Sequence, residues 1–167
     1  MQADTDAKII VGFKKEWDAG RYLKSIEDHT LLSSLNMINV KEGEVFFLES
    51  GTVHALGAGL LVAEIQQTSD ITYRIFDFDR VDASGNKREL HVDLSVEAIN
   101  YNKVDAYKEY DKVLNQSNAV IDCPYFTTNF IPLEGELTMH KKGNTFTVYM
   151  CVEGTFELEY DNEKFKF

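Results

Sequence analysis

The sequence of 167 residues contains little proline, few cysteines and no long apolar run. It has two prolines and no low-complexity stretch, while 44% of its residues are hydrophobic, so a linker-rich or disordered chain is excluded. Cys123 and Cys151 are the two cysteines, and they form neither a CxxC pair nor a ladder of regular spacings. A disulfide framework is therefore not indicated, and we expect reduced thiols in a cytoplasmic protein.

Basic residues are outnumbered, with 17 Lys and Arg against 28 Asp and Glu, which gives a net charge of -11. A surface this acidic repels phosphate backbones, so nucleic acid is not an expected partner. No apolar run approaches the roughly 20 residues of a membrane span, and Met1 is not followed by a signal-peptide pattern. A membrane is therefore not expected as a partner either. A small phosphorylated ligand stays compatible with this charge, because it needs only a local group of cations.

Short β-prone segments separated by glycine turns dominate the chain. The predicted strands are residues 8–13, 35–40, 44–48, 52–56, 60–67, 72–78, 126–133, 136–141, 145–152 and 155–160. Apolar residues at helical spacing over residues 14–29 predict an amphipathic helix, with Thr30 as the cap of a further turn that ends at residue 35. A second helical pattern covers residues 93–114, and a hydrophilic loop is predicted for residues 82–88. The fold class is therefore mainly β, a sandwich or barrel.

These elements divide the chain into three predicted regions. Residues 1–92 form a first β unit that lacks its first strands and has a helical insertion at about 14–35. Residues 93–118 form a helical connector, and residues 119–167 form a partial second β unit. A jelly roll needs about eight strands, and this second unit contains about five. We therefore expect a piece of a longer protein, with a complete small domain that has a swapped or short second sheet as the alternative.

One motif in the first unit predicts metal chemistry. Residues 43–54 match the second cupin motif, G-x5-P-x-G-x2-H, except that Glu49 stands where proline is usual. Gly43 permits the turn before a strand, and Gly51 permits a tight turn at the far end of that strand. His54 then begins the return strand and is expected to point into the barrel, where a metal ion can lie.

Two longer segments resemble one particular family. Residues 51–59 (GTVHALGAG) resemble the G-T-V-H-A-I-G-x-G signature of type I mannose-6-phosphate isomerases, which belong to the cupin superfamily. Residues 64–74 (EIQQTSDITYR) resemble that family's E-I-Q-Q-x-S-D-x-T-Y-R, and residues 77–80 (DFDR) resemble its bacterial members. The resemblance covers essentially the whole chain and points to the carboxyl-terminal portion of the family. It implies a cupin (RmlC-like) jelly-roll β-sandwich with a few short helices and an incomplete second cupin.

The resemblance also implies a zinc enzyme that interconverts mannose 6-phosphate and fructose 6-phosphate through a cis-enediol. In the family, one Zn(II) per protein is held by Gln and His of a Q-V-H-P segment, Glu of a T-E-M-W segment and His of G-T-V-H. Only the last of these is present here, as His54. Because catalytic zinc sites use three or more protein ligands, we expect this chain by itself to bind metal weakly and to isomerise little or nothing.

Three further residues are site candidates by the same resemblance. Arg74 is expected beside the substrate, where it stabilises charge on the enediol, and Arg80 is expected to help hold the phosphate, to which a bidentate guanidinium is suited. Glu64 matches a carboxylate near the family's active site. The structural alternatives are a salt-bridged Arg74, a solvated Arg80, a Glu64 paired with a cation and a hydrogen-bonded core His54. The expected partner is a small phosphorylated sugar, and a homo-oligomer stays open.

Other functions from different classes stay open as well. A non-catalytic sugar-binding or regulatory cupin would keep the fold and lose the metal. A sugar-sensing transcription regulator would need a helix-turn-helix segment, which the sequence does not contain. A metal-dependent oxygenase would need a 2-His-1-carboxylate set, and no H-x-H motif is present.

Overall fold

The structure is a computed structural model that describes residues 2–68, 71–140, 143 and 145–167. Its helices in these ranges are α1 (Ala19–Glu27), α2 (Leu31–Ser34) and α3 (Val92–Ala98). Its strands there are β1 (Gln2–Ala3), β2 (Lys8–Phe13), β3 (Leu35–Asn39), β4 (Val45–Phe46), β5 (His54–Leu56), β6 (Leu60–Leu61), β7 (Tyr107–Lys108), β8 (Asn118–Asp122), β9 (Thr127–Phe130), β10 (Glu157–Tyr160) and β11 (Glu163–Lys166). The prediction of a mainly β chain with a few short helices is confirmed. None of the helices in the described ranges is long and apolar enough to cross a membrane.

Strand β2 is the centre of an antiparallel sheet with the order β3-β2-β5. Every residue of β2 after Lys8 is buried, because both faces of the strand are covered. A first cluster lies on the side of the helices and contains Ile10, Phe13, Tyr22, Leu31 and Leu35. A second cluster lies on the other face and contains Ile9, Val11 and Ala106. The uninterrupted apolar run of β2 is typical of a strand that is buried on both faces.

A bulge near the end of β2 decides which way Phe13 points. The pairing of β2 with β3 shifts register between Ile10 and Phe13. Gly12 lies in this interval with φ +65°, and its N–H donates to the carbonyl of Val53 at 2.7 Å. The extra residue brings Phe13 to the same face as Ile10. There the Phe13 ring stacks on Trp17, with centroids 5.2 Å apart and planes at 7°.

Helix α1 covers one side of the sheet and is joined to α3 by a buried hydrogen bond. Asp18 caps the helix, since its Oδ1 accepts the N–H of Arg21 at 2.8 Å. Tyr22 is fully buried, and its hydroxyl lies 2.8 Å from Oγ of Ser95 on α3. Burial raises the pKa of the Tyr22 phenol, so the neutral form that the hydrogen bond needs is favoured. Thr30 precedes α2 as predicted, but its side chain makes no capping hydrogen bond.

The remaining strands form four two-stranded antiparallel sheets, β1-β6, β4-β7, β8-β9 and β10-β11. Sheet β4-β7 packs Phe46 against the second cluster and holds the Phe46 ring edge-on to Tyr107, with centroids 5.7 Å apart. The side chains of the β10-β11 hairpin are mostly exposed, whereas those of the β8-β9 hairpin are about half exposed, and Asn118 is buried. Among the described residues, neither hairpin contributes to the two clusters. The central sheet and the helices therefore form the main core of the described residues.

Two predicted strands after β5 are wrong for most of their length. Residues 60–67 pair as a strand only at Leu60–Leu61, because their partner β1 has two residues. Residues 72–78 form no strand, since hydrogen bonds from side chains hold this segment in an irregular conformation that is described below.

The predicted helix over residues 93–114 is also wrong beyond Ala98. Ile99 is extended with ψ 131°, and the N–H of Asn100 donates to the carbonyl of Gly51 at 2.9 Å, so the chain turns towards the glycine turn that precedes His54. Within residues 136–140 and 145–152 the structure contains no strand. Lys141 and Asn144, which belong to a predicted strand and turn, lie outside the described residues. The division at residues 92 and 118 stays a prediction.

Candidate functional site

The turn before His54 is held by its own backbone. The N–H of Thr52 donates to the carbonyl of Glu49 at 3.0 Å, so the turn closes although the cupin motif has proline at this position. Gly51 has φ +82°, and a Cβ atom placed on it would lie 2.4 Å from the carbonyl oxygen of Ala98. The conformation and the close approach both require glycine here. The motif glycine therefore fixes the turn against the end of α3.

His54 begins β5, as predicted, and its side chain is exposed. It lies opposite Val11 in the ladder, and cross-strand partners share one face of a sheet. His54 is thus on the face of the second cluster, away from α1. Its Nδ1 lies 2.9 Å from the carbonyl of Thr52. A protonated Nδ1 that donates to this carbonyl leaves a lone pair on Nε2, which is the arrangement that metal-ligating histidines commonly have.

The described residues do not complete a zinc site around His54. Within the ranges that the structure describes, no group of three or more His, Cys, Asp or Glu side chains is arranged to hold a metal ion. The Q-V-H-P and T-E-M-W segments do not occur among the 167 residues. A catalytic zinc needs about three protein ligands. The described residues offer one, His54, and therefore do not form a complete zinc site.

Arg74 lies in an irregular segment that runs beside residues 88–91. Its N–H donates to Nδ1 of His91 at 3.0 Å, and its carbonyl accepts the N–H of His91 at 2.7 Å. Its guanidinium Nη1 donates to the carbonyl of Glu89 at 3.2 Å. Nδ1 and the backbone N–H of His91 are thus both used in contacts with the backbone of Arg74. We call residues 74–91 the arginine loop, because they carry Arg74, Arg80 and Arg88.

A buried carboxylate organises the arginine loop. Asp77 is 7% exposed at its side chain. Its Oδ1 accepts a hydrogen bond from Nη2 of Arg80 at 2.7 Å, and its Oδ2 accepts one from Nε of Arg88 at 2.8 Å. Nη2 of Arg88 also contacts Oδ1, and Nε of Arg80 donates to the Asp77 carbonyl at 3.2 Å. The hydrogen bond from Arg88 is the main reason why the pKa of Asp77 falls from 3.8 to about 2.

The tip of the arginine loop is held by further carboxylates. Asp79 accepts a hydrogen bond from Nζ of Lys87 at 2.6 Å, which lowers the pKa of the Asp79 carboxyl. Asp82 accepts the backbone N–H groups of Ser84 and Asn86 at 2.8 and 2.9 Å, and these bonds lower its pKa as well. The hydrophilic loop that was predicted for residues 82–88 is confirmed, and its turn is ordered by side chains.

The structure does not gather the predicted site residues in one place. Ile75 and Phe76 of the arginine loop pack against the first cluster, on the side of the helices. His54 faces the opposite side of the central sheet, because it lies opposite Val11. In the described part of the chain, no hydrogen bond or ion pair joins His54 to the arginines.

Glu64 is exposed and lies in a segment outside the strands. In the described part of the chain, it makes no hydrogen bond or ion pair with the other predicted site residues. Ser69 and Asp70, which belong to the same E-I-Q-Q-x-S-D match, lie outside the described residues. The structure therefore gives no side-chain contact that assigns Glu64 a role.

Sequence reasoning missed Asp77 and Arg88. A signal for Asp77 was present, since an acidic residue interrupts the apolar run of Ile75, Phe76 and Phe78. A buried carboxylate needs a charged partner, and Arg88 is eleven residues away, so spacing alone did not identify the pair.

The first glycine of the motif lies at a groove beside β7 that has a volume of about 590 Å³. The Tyr110 hydroxyl donates to the Gly43 carbonyl at 2.6 Å, and Nζ of Lys112 lies 5.1 Å from the Tyr110 ring centroid. The groove is lined by residues of both charge signs, and none of the predicted site residues lines it. Its described contacts therefore support a structural role for Gly43.

Comparisons with known proteins point to one family. Mannose-6-phosphate isomerase ManA of Bacillus subtilis is 37% identical over 125 residues, which cover 72% of this chain and 39% of ManA. Mannose-6-phosphate isomerase of Streptococcus mutans is 34% identical over 144 residues, which cover 84% of this chain and 45% of that protein. The crystal structure of the Bacillus subtilis enzyme superposes with a TM-score of 0.67 at 32% identity, and the match covers 75% of this chain and 41% of that one. No protein-family model matches the chain.

This chain is a relative of the mannose-6-phosphate isomerases. The family resemblance that the two sequence segments predicted is thereby confirmed. The chain spans less than half the length of these relatives, between 39% and 45%. The mainly β architecture with few helices matches that of the solved Bacillus subtilis structure.

Proposed function

We propose that this chain contributes part of the site of a zinc-dependent mannose-6-phosphate isomerase, within a cupin jelly roll. The substrate would be a small phosphorylated sugar, and the reaction would interconvert mannose 6-phosphate and fructose 6-phosphate through a cis-enediol. The observation that carries the proposal is His54, which begins β5 in a G-T-V-H segment with Nδ1 directed at a backbone carbonyl. Relatives that bear the isomerase name match 72% and 84% of the chain.

Within this proposal, His54 supplies one zinc ligand and the other ligands come from segments that these 167 residues do not contain. A zinc ion held by His54 and those further ligands would supply a Lewis acid that orients the sugar and polarises its oxygens. We therefore expect the chain alone to have little activity, since the described residues offer no group of three ligands.

Arg74 is proposed to stabilise the negative charge that develops on the enediol, as an electrostatic group. The residue is half-buried, and its Nη1 donates to the carbonyl of Glu89 at 3.2 Å, which restricts the direction of the guanidinium. Arg80 is proposed to contact the phosphate, and its side chain is 62% exposed. Because no described hydrogen bond or ion pair joins Arg74 to His54, the proposal requires the additional segments to bring the two groups to one substrate.

A chimera tests this proposal directly. In Bacillus subtilis ManA, the region that aligns with this chain is replaced by the chain, so that ManA supplies the segments that are absent. We expect zinc-dependent isomerisation by the chimera, loss of at least a hundredfold in kcat/KM for His54→Asn, and almost no activity for the chain alone. The matched control is His140→Asn, because His140 is exposed and unassigned.

One result would refute the proposed function, and another would refute the role of His54 within it. A folded chimera without isomerase activity but with sugar-phosphate binding would favour the non-catalytic sugar-binding cupin. Equal activity of the His54→Asn and His140→Asn chimeras would show that His54 is not a zinc ligand, even if the chimera is an isomerase.

A further inference from the structure

Two guanidinium groups converge on the single carboxylate of Asp77. Arg80 and Arg88 both reach Oδ1, and Arg88 also binds Oδ2. Two positive charges therefore meet one negative charge, and the group keeps a net charge of about +1. The whole arginine loop has four Lys or Arg and four Asp or Glu, so this positive excess is confined to the group of three side chains.

Both arginines keep donors that Asp77 does not use. An arginine has five N–H donors in a planar fork. Arg80 uses Nε and Nη2, and Arg88 also uses Nε and Nη2. Among the described contacts, the Nη1 groups of both residues have no partner. The side chains are 62% and 47% exposed, so these donors are open to solvent while Asp77 is 7% exposed.

The arginine loop holds this pair of arginines in place before any ligand arrives. Contacts of Arg74 with residues 89 and 91 and of Asp77 with Arg88 align the two sides of the loop antiparallel. The ion pair of Asp79 with Lys87 adds a further cross-link, at 2.6 Å. A fork of donors that is fixed in advance loses less conformational entropy when it binds an anion.

We propose that Arg88 is a second phosphate ligand beside Arg80, and that Asp77 is the positioning residue that holds the two guanidinium groups side by side. The inference rests on the proposed function, since it takes the phosphate of the sugar phosphate as the anion. Two planar forks suit the several oxygens of a phosphate, each of which accepts charge-assisted hydrogen bonds. Arg88 thereby gains a role that its position outside the family segments did not indicate.

The test measures binding of inorganic phosphate and of mannose 6-phosphate to the whole chain by calorimetry at low ionic strength. Mannose without phosphate serves as the comparison ligand. We expect Arg88→Gln and Arg80→Gln each to weaken binding of both phosphate ligands by about tenfold or more. Arg88→Lys should recover part of the loss, because it keeps the charge without the fork. The matched control is Arg21→Gln, since Arg21 is also 62% exposed and pairs with one carboxylate, Asp18, at 3.4 Å.

A second measurement separates a ligand from a structural role. In the unmodified chain, phosphate should shift the Nε–Hε nuclear magnetic resonance signals of Arg80 and Arg88 and leave that of Arg21 unchanged. Thermal unfolding of each variant shows whether a loss of binding comes from a loss of folding. If Arg88→Gln does not fold, the signal shifts in the phosphate titration of the unmodified chain decide whether Arg88 is a phosphate ligand.

Absence of phosphate binding by the unmodified chain, or absence of the two shifts, overturns the proposal. An unchanged Kd for folded Arg88→Gln also overturns it. The proposed function does not depend on Arg88. If the chimera is active and its KM is the same with and without Arg88→Gln, the isomerase stands and only the role of Arg88 is refuted. Conversely, if the chimera is inactive but phosphate binding depends on Arg88, the anion site is supported and the proposed isomerase function is refuted.

Discussion

The buried hydrogen bond between Tyr22 and Ser95 offers the sharpest test of how the helices are joined. Ser95 Oγ lies 2.7 Å from the Val92 carbonyl, to which its single proton is donated. Tyr22 must then be the donor in the 2.8 Å contact between the two hydroxyls. Tyr22→Phe removes this donor, and Ser95→Ala removes the acceptor and leaves a donor with no partner in a fully buried place.

The two changes should not have equal effects. Tyr22→Phe should lower the free energy of unfolding by about 1 kcal/mol, since Ser95 keeps its bond to Val92. Ser95→Ala should lower it by about 2 kcal/mol, because the phenol stays buried without an acceptor. The double variant removes both polar groups and should lose only about 1 kcal/mol, which gives a coupling of about 2 kcal/mol.

Urea unfolding followed by the fluorescence of Trp17 measures all four proteins. Trp17 is the only tryptophan and stacks on Phe13 in the same cluster, so its signal reports on this core. Circular dichroism should give the same midpoints if the transition is two-state. Additive losses, or a Ser95→Ala loss no larger than that of Tyr22→Phe, would refute the assignment of donor and acceptor.

Three further predictions concern the turn, the loop and the core. Gly51→Ala should lower the free energy of unfolding by about 2 kcal/mol or more, because a Cβ would lie 2.4 Å from the Ala98 carbonyl oxygen. The control Gly85→Ala should lower it by only about 1 kcal/mol, since no atom lies within 4 Å of a Cβ there. Equal losses in thermal unfolding would contradict the contact with Ala98. The pKa of Asp77 is lowered from 3.8 to about 2, so its charge stabilises the fold above about pH 4 and this contribution is lost as pH falls towards 2. Asp77→Asn should therefore flatten the acid limb of a stability-versus-pH curve, and an unchanged limb would show that the ion pairs contribute nothing. Phe13→Ala should lower the free energy of unfolding by about 3–5 kcal/mol because Phe13 is 1% exposed, while Phe146→Ala, at 82% exposure, should change it by less than about 0.5 kcal/mol.

The central elements were predictable because local pattern and packing agree there. Strand β2 coincides with its prediction, since an apolar run of six residues can be buried on both faces. The return strand at His54 was predictable as well, because the glycine of the preceding turn leaves few alternatives. The family was predictable because residues 51–59 and 64–74 match two specific sequence signatures of that family.

Other elements depended on contacts that no local pattern contains. Residues 72–78 read as a strand by alternation, but Asp77 is held by Arg80 and Arg88 rather than by a ladder. The helix after Ser95 ends at Ala98 because the following segment binds Gly51, nearly fifty residues away. Arg88 and Asp77 are eleven residues apart and meet only in the folded chain, so local pattern did not indicate the pair.

The central claim is that His54 is one ligand of a zinc site that needs further segments. A calorimetric zinc titration of the chain and of the ManA chimera tests it most directly. The account predicts one tightly bound zinc per chimera, loss of tight binding in the His54→Asn chimera and no submicromolar binding to the chain alone. Submicromolar binding of one zinc by the chain alone, or tight binding that survives His54→Asn, would contradict it.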